Sequence, residues 1–111
     1  MRDEDRVAAL LELAHAAGLE VRVLSSHAAA EEGAPRQSAF GRLASRVWVL
    51  IVPDDPPAHQ AAALAQALGR FRAEFLEERF VPPALRAFIA ACTGTAGAET
   101  DRKGTVDPGN R

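Results

Sequence analysis

Apolar residues along the chain recur first at helical spacing, then alternate, then run together, and each change of period marks an expected element. Over residues 4 to 17, Val7, Leu10, Leu11 and Ala14 share one helical face, with Asp3, Glu4 and Asp5 around the first turn and Gly18 as a stop. Leu19-Glu20-Val21-Arg22-Val23 then alternates, which predicts a half-buried strand with Leu19, Val21 and Val23 on one face. Residues 25 to 36 are small and polar and close on Gly33-Ala34-Pro35, the signature of a loop. Residues 37 to 43 predict a short strand that turns at Ala44-Ser45, with Gly41 as its weak point.

The stretch Arg46-Val47-Trp48-Val49-Leu50-Ile51-Val52 is the most apolar of the chain. Val47 to Val52 runs without alternation, so burial on both faces is expected of it. Pro53-Asp54-Asp55-Pro56-Pro57 ends the run and opens a helix, with Asp54 or Asp55 as its cap and Pro56 or Pro57 at its first position. Ala61, Leu64, Ala65 and Leu68 form the expected buried stripe of that helix, continuing towards Phe75. Gly69 costs a helix interior about 1 kcal/mol relative to alanine, which predicts a stop or bend there. Residues 72 to 79 are helical in pattern, with Glu74, Glu77 and Glu78 outward and Phe71, Phe75, Leu76 and Phe80 inward. Pro83 starts a last helix that places Leu85, Phe88, Ile89 and Cys92 together. From Thr93 onward Val106 is the only large apolar side chain, too little to offset the entropy of ordering, so a flexible tail is expected.

These elements predict one α+β domain over residues 1–92 and a disordered tail over 93–111. Its expected core is a small three-stranded antiparallel sheet, packed by an N-terminal helix, a central helix and a short C-terminal helix. At 111 residues the chain has little length for a second core. A net charge of -2 offers no general attraction to nucleic acid or to an anionic membrane. Lys103 is the only lysine among the basic residues, and arginine with this much alanine fits a GC-rich genome. The single Cys92 rules out an internal disulfide and points to a reducing compartment. The charged N-terminus is unlike a signal peptide, and the run Val47 to Val52 is far short of the roughly 20 residues that span a bilayer. A cytoplasmic location without membrane association follows as the expectation.

Little in the chain carries chemistry. His15, His27, His59 and Cys92 are never paired at the close spacings of zinc sites, so no metal is expected. Ser25-Ser26-His27 places a hydroxyl beside an imidazole, but catalytic pairs are assembled in space and adjacency says little. Cys92 falls on a packing face, where it acts as a small hydrophobe. Glu74, Glu77 and Glu78 alternate with Arg70, Arg72 and Arg79 on a solvated face. Lys103-Gly104-Thr105 reverses the order of a phosphate loop. No catalytic residue, cofactor or metal ligand is assigned.

The order helix, strand, long loop, strand with a glycine, buried strand, helix resembles the core of the ImmA/IrrE-type zinc metallopeptidases over about residues 5 to 75. That family carries His-Glu-x-x-His on its helix, often as His-Glu-Leu-Gly-His, and here Ala65-Gln66-Ala67-Leu68-Gly69-Arg70-Phe71 has Leu68 and Gly69 in the matching places. Gln66 and Arg70 stand where the resemblance implies ligand histidines, and Ala67 where it implies the general-base glutamate. None of these side chains can hold zinc or activate its water, so the resemblance implies a scaffold without the chemistry.

The expected function is therefore non-catalytic: association with an unknown protein partner or with a second copy. Phe71, Phe75, Leu76 and Phe80 are the expected interface, since three thin strands cover little apolar surface. The alternative is a small enzyme of unnamed class at the junction of sheet and central helix, with His59, Asp54, Asp55, Gln66 and Arg70 as its polar groups. Nucleic-acid binding would need Arg36, Arg42, Arg46, Arg70, Arg72 and Arg86 on one face, which the charge balance argues against.

Overall fold

The apolar periods resolve into five helices and four strands in the computed structural model, which describes residues 1–94 and 99–101. In order they are α1 (Asp3–Ala16), β1 (Glu20–Val23), α2 (Ser26–Ala29), β2 (Ala39–Leu43), β3 (Arg46–Ile51), α3 (Pro57–Phe71), α4 (Ala73–Glu77), α5 (Pro83–Thr93) and β4 (Glu99–Asp101). The α+β class is as expected. The tail lies largely at residues 95–98 and 102–111, outside the described residues, while the backbone of 99–101 pairs with β2.

The sheet is mixed, and this corrects the antiparallel meander. Its order is β1-β3-β2-β4, with β2 antiparallel to β3 but β1 parallel to β3. β2 and β3 are joined through Ala44 and Ser45 and can only run antiparallel. Residues 24–38 between β1 and β2 are long enough to cross the C-terminal end of β3, so β3 inserts between them. Within that crossing Ser25 accepts a hydrogen bond from the Ala28 N–H at 3.0 Å and caps the single turn α2, where only loop was expected.

Ala44 holds a positive φ of 57° at the first loop position, and no other non-glycine residue among those described does so. That conformation suits the twist of a hairpin but crowds Cβ against the backbone. Ala44→Gly is expected to stabilise the fold by about 0.5–1 kcal/mol, read by urea denaturation, because relief of the strain outweighs the extra freedom of the unfolded chain.

β3 alternates in burial, contrary to the expectation of two buried faces. Val47, Val49 and Ile51 are buried, whereas Trp48 and Leu50 are half-buried on the opposite face. Phe40 opposes Val49 on the buried side and Gly41 opposes Trp48 on the other. Helices are stacked on one face of the sheet: Leu10, Leu13 and Ala14 of α1, Leu64 and Leu68 of α3, and Leu85 and Ile89 of α5 join the β3 valines in one core. Trp48 and Leu50 lie outside that core.

α3 is the hub of this layer, in contact with α1, α4, α5, β2 and β3. Its N-cap is Pro56 without a side-chain cap, so neither Asp54 nor Asp55 caps it as expected. It also runs through Gly69 to Phe71. The glycine marks the crossing with α5: a Cβ there would fall 1.8 Å from Thr93 Oγ1, 3.0 Å from Thr93 Cβ and 3.1 Å from Thr93 Cγ2. Rotating the threonine cannot clear all three atoms. The helix stops instead at Arg72, which leaves helical geometry and donates from Nε to the Ala17 carbonyl at 3.1 Å, closing the C-terminus of α1. Gly69→Ala is expected to destabilise by about 1–3 kcal/mol despite its better helix propensity, and Thr93→Ala in the same chain should recover most of that loss in denaturant titrations.

Candidate functional site

Polar side chains converge where residues 24–38 cross the end of β3 and α3 begins. Ser38, just before β2, accepts the Val52 N–H on its hydroxyl oxygen at 3.0 Å. The Ser38 N–H in turn donates to Asp55 Oδ2 at 2.9 Å. Asp55 is 5% exposed, and its other oxygen, Oδ1, meets His59 Nδ1 at 3.2 Å. Asp55 precedes the Pro56 N-cap, so the turn leading into α3, and not the helix itself, sets that last pair. Gln60 Nε2 donates to the Asp55 carbonyl at 2.8 Å, and the Asp55 N–H reaches the Val52 carbonyl at 2.9 Å.

Chemically this is a carboxylate-oriented imidazole, the arrangement that prepares a histidine for proton transfer. The rest of a catalytic site is not assembled around it. The Ser38 oxygen is engaged by Val52, and the His59 side chain is 63% exposed. A polar groove of about 640 Å³ borders this end of the sheet, lined by Glu31, Glu32, Arg36 and Asp54, and neither Asp55 nor His59 lines it. The network ties the start of β2, the end of β3 and the start of α3 into one corner.

Of the five polar candidates, the fold brings Asp55 and His59 into direct contact. Asp54 is exposed in the turn, Gln66 is buried in α3, and Arg70 is exposed near the end of that helix. Ala67 is also fully buried, so the three positions matched to the metallopeptidase motif do not share an open surface. Among the described residues no three His, Cys, Asp or Glu side chains gather as metal ligands. Burial pushes the Cys92 thiol up, with nearby Arg6 acting in the opposite direction.

The four aromatic-segment candidates divide as well. Leu76 is buried, Phe71 packs edge-on against Phe40 at 6.1 Å and 62°, and Phe75 is half-buried beneath Arg79 at 5.0 Å. Phe80 alone of the four stands out, 82% exposed before α5. An apolar cleft of about 370 Å³ is lined by Leu76, Val81, Ile89 and Thr93 and reaches Gly94; Phe80 does not line it. The arginines are dispersed: Arg42 lies over Phe71 at 5.3 Å, Arg46 meets Glu20 at 2.5 Å, and Arg86 donates to the Leu76 carbonyl at 3.1 Å.

The sequence reading missed a surface. The sheet face opposite the helices carries Trp48 and Leu50, half-buried, and Leu43, 56% exposed. Glu20, Arg22 and Arg46 fringe it, and the Arg46 guanidinium holds the Glu20 carboxyl below the usual carboxylate range. Large residues at 48 and 50 are the local signal of a second face, hidden by the valines between them. Ser38 and Gln60 were missed because their partners lie across the tertiary fold.

No family model, curated protein or solved structure matches the chain. Among the described residues no helix is long and apolar enough to cross a membrane.

If the Asp55 corner is structural, Asp55→Ala strands the buried Ser38 N–H and is expected to cost about 1–3 kcal/mol in thermal or urea unfolding. His59→Ala removes a mostly exposed partner and should cost less than about 1 kcal/mol.

Proposed function

We propose that this chain is a non-catalytic α+β module that acts by protein association through the sheet face its helices leave uncovered. The observation that carries the reading is the one-sided layering of β3, with Val47, Val49 and Ile51 in the core and Trp48 and Leu50 outside it. Large apolar side chains in a contiguous, open patch are the physical mark of a protein-binding surface. Leu43 extends the patch at the hairpin end of the sheet, and the charged fringe supplies a polar rim. The same observation moves the expected interface. Phe71 and Leu76 are committed to the monomer, and Phe80 stands apart at the turn into α5.

The Asp55–His59 pair is the strongest support for the enzyme alternative, and its surroundings favour a structural role. Asp55 satisfies the buried Ser38 N–H, and the adjoining groove is lined by residues other than the pair.

Site-specific photocrosslinking tests the association reading in the cell that makes the protein. A photoreactive side chain at Leu43 is expected to give a discrete protein adduct, and one at exposed Ala87 on α5 is expected to give none. Adducts from Ala87 or Phe80 but not from Leu43 would overturn the placement on the sheet, and adducts from none of the three would overturn association itself.

A further inference from the structure

β1 ends the sheet, and among the described residues no strand pairs with its outer edge. The direction of its amides follows from one bond. The Leu24 N–H donates to the Ile51 carbonyl at 2.8 Å, so the even-numbered residues of β1 point their backbone groups at β3. Val21 and Val23 therefore aim their N–H and C=O groups away from the sheet, at the open edge. Side chains alternate too: Val21 and Val23 lie on the helix side, and Glu20 and Arg22 lie on the uncovered face. Val23 is 62% exposed, an apolar side chain left at the edge.

An exposed edge of this kind accepts another strand. We infer that its occupant is β1 of a second copy, paired antiparallel about a twofold axis through Val21 so that Glu20 faces Arg22 of the second copy. Three features of the edge select this pairing. With the axis at Val21, the two Val21 residues exchange a pair of N–H···O=C bonds through groups that already point outward. Val23 N–H then meets the Leu19 carbonyl of the second copy, while the Leu19 N–H stays with Ala14 at 3.0 Å. Both charged pairs are Glu against Arg, on the same face and at the same level, where opposite charges attract across strands.

The neighbouring registers lose this match. An axis at Arg22 opposes two guanidiniums, and an axis at Val23 sets Arg22 against Leu24 and leaves no charge paired. Glu20 already receives Arg46 on Oε2, and its second oxygen can accept Arg22 of the other copy. Val23 is covered by Leu19 and Val21 across the axis. The two sheets become one, and the uncovered face that carries Trp48 is extended instead of blocked. The pairing thus goes beyond the association proposed for that face and does not compete with it.

Sedimentation velocity on the full chain, across a concentration series, tests the inference through charge reversal. The unmodified chain is expected to form a dimer. Arg22→Glu sets Glu against Glu and Glu20→Arg sets Arg against Arg, so each variant alone should dimerise about tenfold or more weakly. Mixed in equal amounts, the two variants restore both Glu–Arg pairs and should form a mixed dimer of near wild-type affinity. Circular dichroism of each variant confirms that the fold is intact. A chain that stays monomeric up to the order of 100 μM overturns the dimer. A dimer indifferent to both reversals, or variants that fail to rescue each other, overturns the Val21-centred register. Either failure leaves the Leu43 crosslinking result, and hence the association reading, untouched.

Discussion

Close approach to α3 is the constraint on which the rest of the structure depends. Ala61, Ala63, Ala65 and Ala67 are all buried along it, and such small side chains let α1, α5 and the sheet come near its backbone. Gly69 is the extreme case, set so tightly against Thr93 that no Cβ fits. Bulk comes from a few large residues placed between the elements: Leu10 from α1, Phe40 from β2, Leu64 and Leu68 from α3, and Leu85 from α5. A core of this kind is short of apolar volume, so it relies on shape. Interiors packed at crystal-like density feel a change of one methyl group, and a helix of alanines has no flexible side chains to absorb it.

Polar groups complete the frame where apolar contact runs out. Asp55 meets both Ser38 and His59, and Gln60 closes the turn before α3. Arg72 does the corresponding work at the other end of α3, by bonding the C-terminus of α1. Arg6 lies over the Phe88 ring at 4.7 Å and joins α1 to α5. Asp55 and Arg72 are in this way engaged by the fold itself.

The second sheet face follows from the one-sided layering. Helices stack on Val47, Val49 and Ile51, and Trp48 and Leu50 lie outside that core. Insertion of β3 between β1 and β2 also decides which strand is central. A simple meander would put β2 between β1 and β3 and leave β3 at an edge; here β3 is inside, and the four-residue β1 is an edge strand in either arrangement. The core thus lies on one side of the sheet, with Trp48 and Leu50 on the other.

Local pattern determined the α+β class and the main helices and strands, because burial on one face writes its period into neighbouring residues. The span of α1, the hairpin at Ala44-Ser45 and the start of α5 at Pro83 were legible for that reason. Asp55 and His59 were both named as polar candidates, but Asp55 precedes the helix, so neither their contact nor its role as a corner tie followed from helical spacing. Partners remote in sequence were not legible. Gly69 looked like a helix stop because Thr93, the atom set it must clear, is on another helix. The run Val47 to Val52 looked buried on both sides because composition cannot tell a second covering layer from an open face. The parallel pairing of β1 with β3 was decided by the 24–38 connection, whose path depends on packing at the end of β3. Short-range geometry is encoded residue by residue; which face is left bare and which strand is central are settled only when the elements compete for the same core.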